Sequence, residues 1–357
     1  MQGNKAMEVL QYKSAWATTR IYSAFDSIEK RSIAYQRGLL ELVYTLYPLE
    51  FTKQVRLIFN QPANNKILAM SAEYLFQAKA IQLPEIKNAV KTYNKNYEQD
   101  AVLYMLIATK ENTTIPSPEK IRHIFNTDFL KGNRVIYSIQ RKNRNYQGLA
   151  IVRDSTGNFI RDSNSYIIAI PQLARSISNL PCYLTNGNTP QGIFRMSGLD
   201  TSLSSYIGPT PNIQLTIPFE TSLKHFLKDT TIIDSIWTEN WYNKLLPKSL
   251  HNYLPAKETY YAGKAGRSEI IAHGTTVDPE YYKNQMYYPY TPTQGCLCSK
   301  ETWSGEDGSR TTSDQQLLVN TIQAAGGADG YFIVLEIDDQ QQPVSIEELL
   351  PYLINQK

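Results

Sequence analysis

The stretch NRVIYSIQR, residues 133–141, decides the fold of the larger part of the chain. Val135, Tyr137 and Ile139 alternate with Ile136, Ser138 and Gln140. A period of two with β-branched and aromatic residues predicts a strand. GLAIVRD (148–154), SYIIAI (165–170) and GYFIVLEI (330–337) repeat the pattern. The turn-forming RKNRNYQG (141–148) joins the first two runs, and RDSTGN (153–158) follows the second. A β-rich region therefore begins near residue 130. Before TTIPSPEK (113–120) the period is helical from about residue 5 to 127, with Pro48 as a stop. Helices are expected at about 50–59, 63–80, 84–97 and 99–110, folded into antiparallel hairpins at NQPANN and QLPE. The predicted class is α+β: an all-helical domain over 1–127, then a β-rich domain over 128–357. An insertion at about 219–262, containing IWTENWYNKLLPKSLHNYL, interrupts the strands. It reads equally as a cap over a cleft and as a surface segment with buried aromatics.

At 357 residues the chain is long enough for about two domains. Lysine and arginine total 36 against 33 acidic residues, and the basic residues are scattered rather than striped, so no nucleic-acid partner is expected. The longest apolar runs, such as AVLYMLIA (101–108), fall short of the ~18 residues a membrane span needs. Three cysteines, an odd count, argue against a disulfide framework.

Two segments carry candidate chemistry. IIAHGTT (270–276) delivers His273 from an apolar strand into Gly274 and a polar loop. TQGC (293–296) places Gly295 beside Cys296, 23 residues after that histidine. A cysteine nucleophile needs an imidazole to take its proton and backbone N–H groups to hold the oxyanion, and glycine permits close backbone approach. One histidine and one cysteine at this spacing are a weak signal by themselves.

The order NTPQGIFRMSG (188–198), HGT (273–275), TQGC (293–296) resembles the L,D-transpeptidase catalytic domain of the YkuD family, over roughly residues 130–340. The resemblance implies Cys296 as nucleophile, His273 as general base, and Gly274 as the residue whose backbone orients the imidazole. Gly295 and Thr293 match the positions just before the nucleophile. Thr189, Pro190 and Gly192 match an upstream segment that shapes the cleft. Two positions depart from the pattern: Gln294 replaces the second histidine, and Cys298 replaces the Arg or Asn that follows the nucleophile. Gln294 can donate a hydrogen bond but cannot shuttle a proton. A substrate carboxylate would then need another cation, with Arg267, Arg195 and Arg310 as candidates. Trp303 suits either stacking on a peptide stem or glycan, or anchoring its loop.

Cys298 and Cys182 read as buried structural thiols, and His123, His225 and His251 as solvated or packed histidines. A metal site is not expected, because Cys296, Cys298 and His273 have no second tight ligand pair beside them. Ser313–Asp314 reads as the N-cap of a helix ending at Gly326–Gly327.

The resemblance implies acyl transfer on peptidoglycan stem peptides through a Cys296 thioester, without cofactor. An amine acceptor makes the chain a transpeptidase, and water makes it a carboxypeptidase or hydrolase. It also implies a periplasmic or envelope location, with any signal peptide lying outside this chain. A non-catalytic wall-binding or scaffold protein is the alternative. A papain-like peptidase fits less well, since it places cysteine before histidine.

Overall fold

A computed structural model describes residues 2–112, 114–233 and 236–353. Thr113 of TTIPSPEK and residues 234 and 235 of the expected insertion lie outside that set. The chain divides into two compact units, Met1–Thr113 with Ser176–Asn188, and Thr114–Arg175 with Thr189–Lys357.

The first unit is helical: α1 (Gln2–Val9), α2 (Ala15–Ala24), α3 (Ile33–Leu46), α4 (Thr52–Asn60), α5 (Asn65–Gln77), α6 (Leu83–Tyr93) and α7 (Ala101–Glu111). Side chains of Ser14, Ser32, Asn64 and Asp100 cap α2, α3, α5 and α7 by accepting N–H bonds that the first turn would leave unmade. Leu42 and Val43 of α3, Ile67 and Leu75 of α5, and Leu103 and Leu106 of α7 are buried. The Tyr74 hydroxyl donates to Tyr47 O (2.7 Å) and accepts from Phe51 N (2.9 Å), pinning the α3–α4 turn. Residues 176–188 lie within the expected β-rich region of the sequence, yet they join the helices. Tyr183 donates to the buried Glu73, which Lys110 also engages, and Asn186 donates to Glu41 at 2.9 Å. Polar groups buried away from water hold this loop where sequence periodicity is silent.

The second unit begins with α8 (Pro118–Phe125), which the helical period had grouped with the N-terminal region. Phe125 packs on Tyr137 with ring centroids 4.9 Å apart, and Tyr137 Oη donates to Ile124 O, so the helix covers the sheet. The strands are β1 (Arg134–Arg141), β2 (Gly148–Arg153), β3 (Ala169–Gln172), β4 (Gly192–Thr201) and β5 (Pro211–Thr216). The insertion follows as α9 (Leu223–Leu227), α10 (Glu239–Asn243) and α11 (Glu258–Lys264). Then come β6 (Ile271–His273), β7 (Leu297–Cys298), the hairpin β8 (Glu301–Trp303) and β9 (Arg310–Ser313), α12 (Asp314–Ala324), β10 (Asp329–Asp338) and α13 (Ile346–Leu353). Ser313 caps α12, and Gly326 and Gly327 follow it with φ of +103° and +104°, as its sequence signals predict.

One mixed sheet of eight strands runs in the order β3-β2-β1-β10-β4-β5-β6-β7. The β1–β10 and β6–β7 pairs are parallel and the others antiparallel. The final strand, β10, lies in the middle of the sheet, between β1 and β4. Its Phe332 and Val334 enter the core beside Phe194 and Ile136, while Tyr331 and Ile333 are buried on the opposite face. The outer strands are joined: Leu173, just past β3, and Cys298 of β7 exchange two backbone bonds of 2.8 Å. The two edges of the sheet thus meet, and no long open edge is left there. Leu318, Val319 and Ile322 of α12 fill the concave side, in contact with β5 on one flank and with β2 and β3 on the other. The sheet is curled around this helix.

Candidate active site at the sheet closure

The alternation of strand side chains assigns the site to one face. Ala272 and Leu297, partners across β6 and β7, point into the core around α12. His273 and Cys298, partners one step on, therefore face the other way, together with Asn212 of β5, the partner of His273. Cys296 lies two residues before Cys298 and is half-buried, whereas Cys298 and Cys182 are buried.

The loop carrying Cys296 is held by two threonines. Thr293 Oγ1 accepts from Gly295 N (3.0 Å) and donates to Cys296 O (2.8 Å). Thr189 Oγ1 donates to Gly295 O (3.0 Å) and lies 3.2 Å from Cys296 O. The upstream TPQG segment thus meets the cysteine loop through a hydroxyl that clamps it. Gly295 has φ +112°, a conformation that a side chain rarely tolerates, so glycine is required beside the thiol. Because Thr293 occupies the Gly295 N–H, that group is not available to an oxyanion. The Cys296 N–H has no backbone acceptor among the described residues.

His273 is buried, and its Nδ1 is bonded to Gly274 O. A carbonyl only accepts, so Nδ1 carries the hydrogen of a neutral ring and Nε2 is the basic nitrogen. Burial lowers the imidazole pKa to about 4, and the Gly274 bond opposes the change only in part. Gly274 itself donates to Thr210 Oγ1 at 3.0 Å. A Cβ at Gly274 would fall 2.1 Å from Glu301 Cδ, so the residue after His273 has to be glycine for steric reasons. Glu301 accepts from Ser313 Oγ (2.6 Å) and Arg310 (3.2 Å).

The Cys296 sulfur accepts from Ile271 N at 3.5 Å and lies 3.7 Å from Glu269 O, with Glu269 in the left-handed region at φ +60°. Among the described residues, the His273 imidazole is not a hydrogen-bond partner of the sulfur. His273 pairs with Cys298 across the parallel β6–β7 step, and Cys296 precedes Cys298 by two residues, in the loop that leads into β7. Burial raises the thiol pKa, the Ile271 N–H and the Arg267 charge pull it down, and the Glu269 charge adds to the rise. The resting pair is therefore a neutral thiol and a neutral imidazole.

The three candidate arginines separate by location. Arg267 is buried, and its charge acts on the Cys296 sulfur. Arg195 is bound to Asp329 and Gly330 O (2.8 Å), and Arg310 to Glu301 and Gln316 (2.8 Å), both as structural pairs. Trp303 donates Nε1 to Thr275 O (3.0 Å), which anchors the β8–β9 hairpin to the loop after His273. Gln294 is half-buried in the loop beside the thiol. Cys298 is sealed under Leu173 and the 274–293 loop: Tyr282 and Tyr287 pack on Leu173, the Cys298 sulfur contacts Ser299 O (3.6 Å), and its thiol pKa is driven up by burial and the Glu301 charge. His123 and His251 are bonded to Ser249 (2.7 Å) and Leu246 O (3.1 Å), away from this face. Thr210 and Glu301 escape a sequence reading, because a hydroxyl on a loop and a buried carboxylate carry no spacing signal. No helix among the described residues is long and apolar enough to cross a membrane, and no group of three or more potential metal ligands occurs among them.

Comparison with known proteins finds no matching family model, no similar curated protein and no similar solved structure.

Proposed function

We propose that the chain is a cysteine acyltransferase of the L,D-transpeptidase type, acting on peptidoglycan stem peptides in the bacterial envelope, with Cys296 as nucleophile and His273 as base. The observation that carries the reading is the placement of the half-buried Cys296, on a glycine turn that leads into β7, two residues before the strand partner of a neutral buried imidazole. In the motif order of that family, these are the residues at the reactive positions.

The chemistry follows from the resting protonation states. A change of the Cys296 χ1 rotamer swings the sulfur off Ile271 toward Nε2 of His273. As sulfur attacks the carbonyl between an L-centre and a terminal D-residue, the S–H proton passes to Nε2 and the C–S bond forms. The developing oxyanion is held by the Cys296 N–H, since Thr293 occupies that of Gly295. The imidazolium, stabilised by Gly274 O at its other nitrogen, returns the proton to the leaving amine as the C–N bond breaks. A second stem amine then attacks the thioester and regenerates the thiol, and water in its place gives tripeptide. Arg267 is the cation that supports the thiolate and a substrate carboxylate in place of the arginine absent at Cys298.

The test is incubation with disaccharide-tetrapeptide and mass spectrometry of the products. Cross-linked dimers indicate transpeptidation and tripeptide indicates carboxypeptidation, both lost in Cys296→Ala. Binding of wall fragments without thioester or product, unchanged in Cys296→Ala, assigns the chain to the non-catalytic alternative, which the raised thiol pKa favours.

A further inference from the structure

The second unit holds a cavity of about 680 Å³ apart from the cysteine. One wall is the end of α8 and the loop 126–133, and the other is the segment 244–249. Leu227 and Tyr331 complete the lining. The size falls within the range of small-molecule sites, roughly 300–1,000 Å³.

The 126–133 wall is fixed without a ligand, and one surface hydrogen bond links it to the other. Arg153, buried, donates to Asn126 O (3.0 Å) and Phe129 O (2.5 Å) and so holds the 126–133 loop from beneath. That loop turns through Leu130 at φ +50° and Gly132 at φ +76°. His123 Nδ1 meets Ser249 Oγ at 2.7 Å and ties one wall to the other. A loop wall set by buried hydrogen bonds before any ligand arrives lowers the ordering cost of binding.

Its chemistry is two-sided. Leu130, Leu227, Leu245, Leu246 and Pro247 supply an aliphatic lining, whereas Lys131, Lys244 and Lys248 supply three ammonium groups against one lining carboxylate, Asp128. Asp128 pairs with Lys131 at 3.2 Å. Lys244 lies over the Trp241 ring at 3.6 Å, and its charge acts on Asp229. Lys248 has no carboxylate partner among the described residues. The rim therefore carries excess positive charge above an apolar floor.

We propose that this cavity is a binding site for an aliphatic organic anion, whose chain occupies the leucine-lined floor and whose anionic group is held by Lys244 and Lys248. The inference is independent of the reaction assigned to Cys296. Burial of the chain supplies the affinity, and the lysines select an anion over a neutral or cationic ligand.

Isothermal titration of the full chain with decanoate, below its micelle concentration, tests the proposal. The expected result is saturable one-to-one binding, weakened at least tenfold in the exposed pair Lys244→Glu/Lys248→Glu and unchanged in Cys296→Ala. Thermal melting shows that the charge variant is folded, and Leu245→Asp provides a second variant that strikes the floor alone. Inorganic phosphate at equal concentration should leave the isotherm unaltered. Absence of saturable binding, an affinity unmoved by both variants, displacement by phosphate alone, or binding only to phosphatidylglycerol vesicles would each overturn it.

Discussion

Leu173 and Cys298 exchange both backbone hydrogen bonds at 2.8 Å, and this single bridge joins the first edge of the sheet to its last, two residues from Cys296. The bridge fixes the end of β7 from one side while His273 O, accepting from Ser299 N at 3.1 Å, fixes it from the other. The loop that carries Cys296 is thus mounted on rigid backbone, and its threonine clamps set the remaining freedom.

Alkylation should therefore be selective. Iodoacetamide mapped by peptide mass is expected on Cys296, with Cys182 and Cys298 unlabelled in the native protein, because both are buried. Because burial raises the Cys296 pKa, the labelling rate should climb with pH beyond the range of a free thiol. Predominant labelling of Cys298 would remove Cys296 from its assigned role.

The buried imidazole makes a prediction about acid stability. His273 titrates near pH 4 when folded and near 6.5 when unfolded, so between these values the unfolded chain holds a proton that the folded chain does not. Its contribution is complete above about pH 6.5 and is lost as pH falls toward 4. Urea melts should show about 2–3 kcal/mol of stability lost through this group between pH 7 and 4.5. His273→Gln should lack that part of the slope. Equal slopes in both proteins would contradict the burial of the ring.

Gly295→Ala puts a side chain at φ +112° and is expected to cost about 1–3 kcal/mol. Thr293→Val leaves Gly295 N and Cys296 O without their shared hydroxyl, at a similar cost of about 1–3 kcal/mol. Denaturant midpoints measure both. Either variant at wild-type stability with unaltered Cys296 labelling would mean that the loop is not held as described.

Arg141 is fully buried and donates to Asp338 (2.8 Å), Glu348 (2.7 Å) and the carbonyls of Gln342 and Pro343. Arg141→Met removes the shared partner of two carboxylates and is expected to cost about 3 kcal/mol. The loss should concentrate in α13, so hydrogen exchange at Leu349 and Leu353 should accelerate more than at Phe332. Uniform acceleration would show that the arginine supports the whole sheet rather than this helix.

The local elements were legible in the sequence because each rests on neighbours a few residues apart. Helices α4 to α7 follow from period and proline, α12 from Ser313 and Gly326, and β1, β2 and β10 from alternation in runs such as NRVIYSIQR. The strand before His273 and the glycine beside Cys296 were legible in the same way. Tertiary structure alone decided which strands pair: β10 lies between β1 and β4, and closure passes through Leu173 and Cys298, because backbone hydrogen bonding carries no side-chain signature. It also decided that residues 176–188 join the helices through Glu73 and Glu41, and that of three candidate arginines only Arg267 acts on the thiol. Burial and electrostatic field depend on residues distant in the chain. The same holds for the neutral state of His273: its low pKa comes from desolvation by the packed sheet, a property no local pattern encodes.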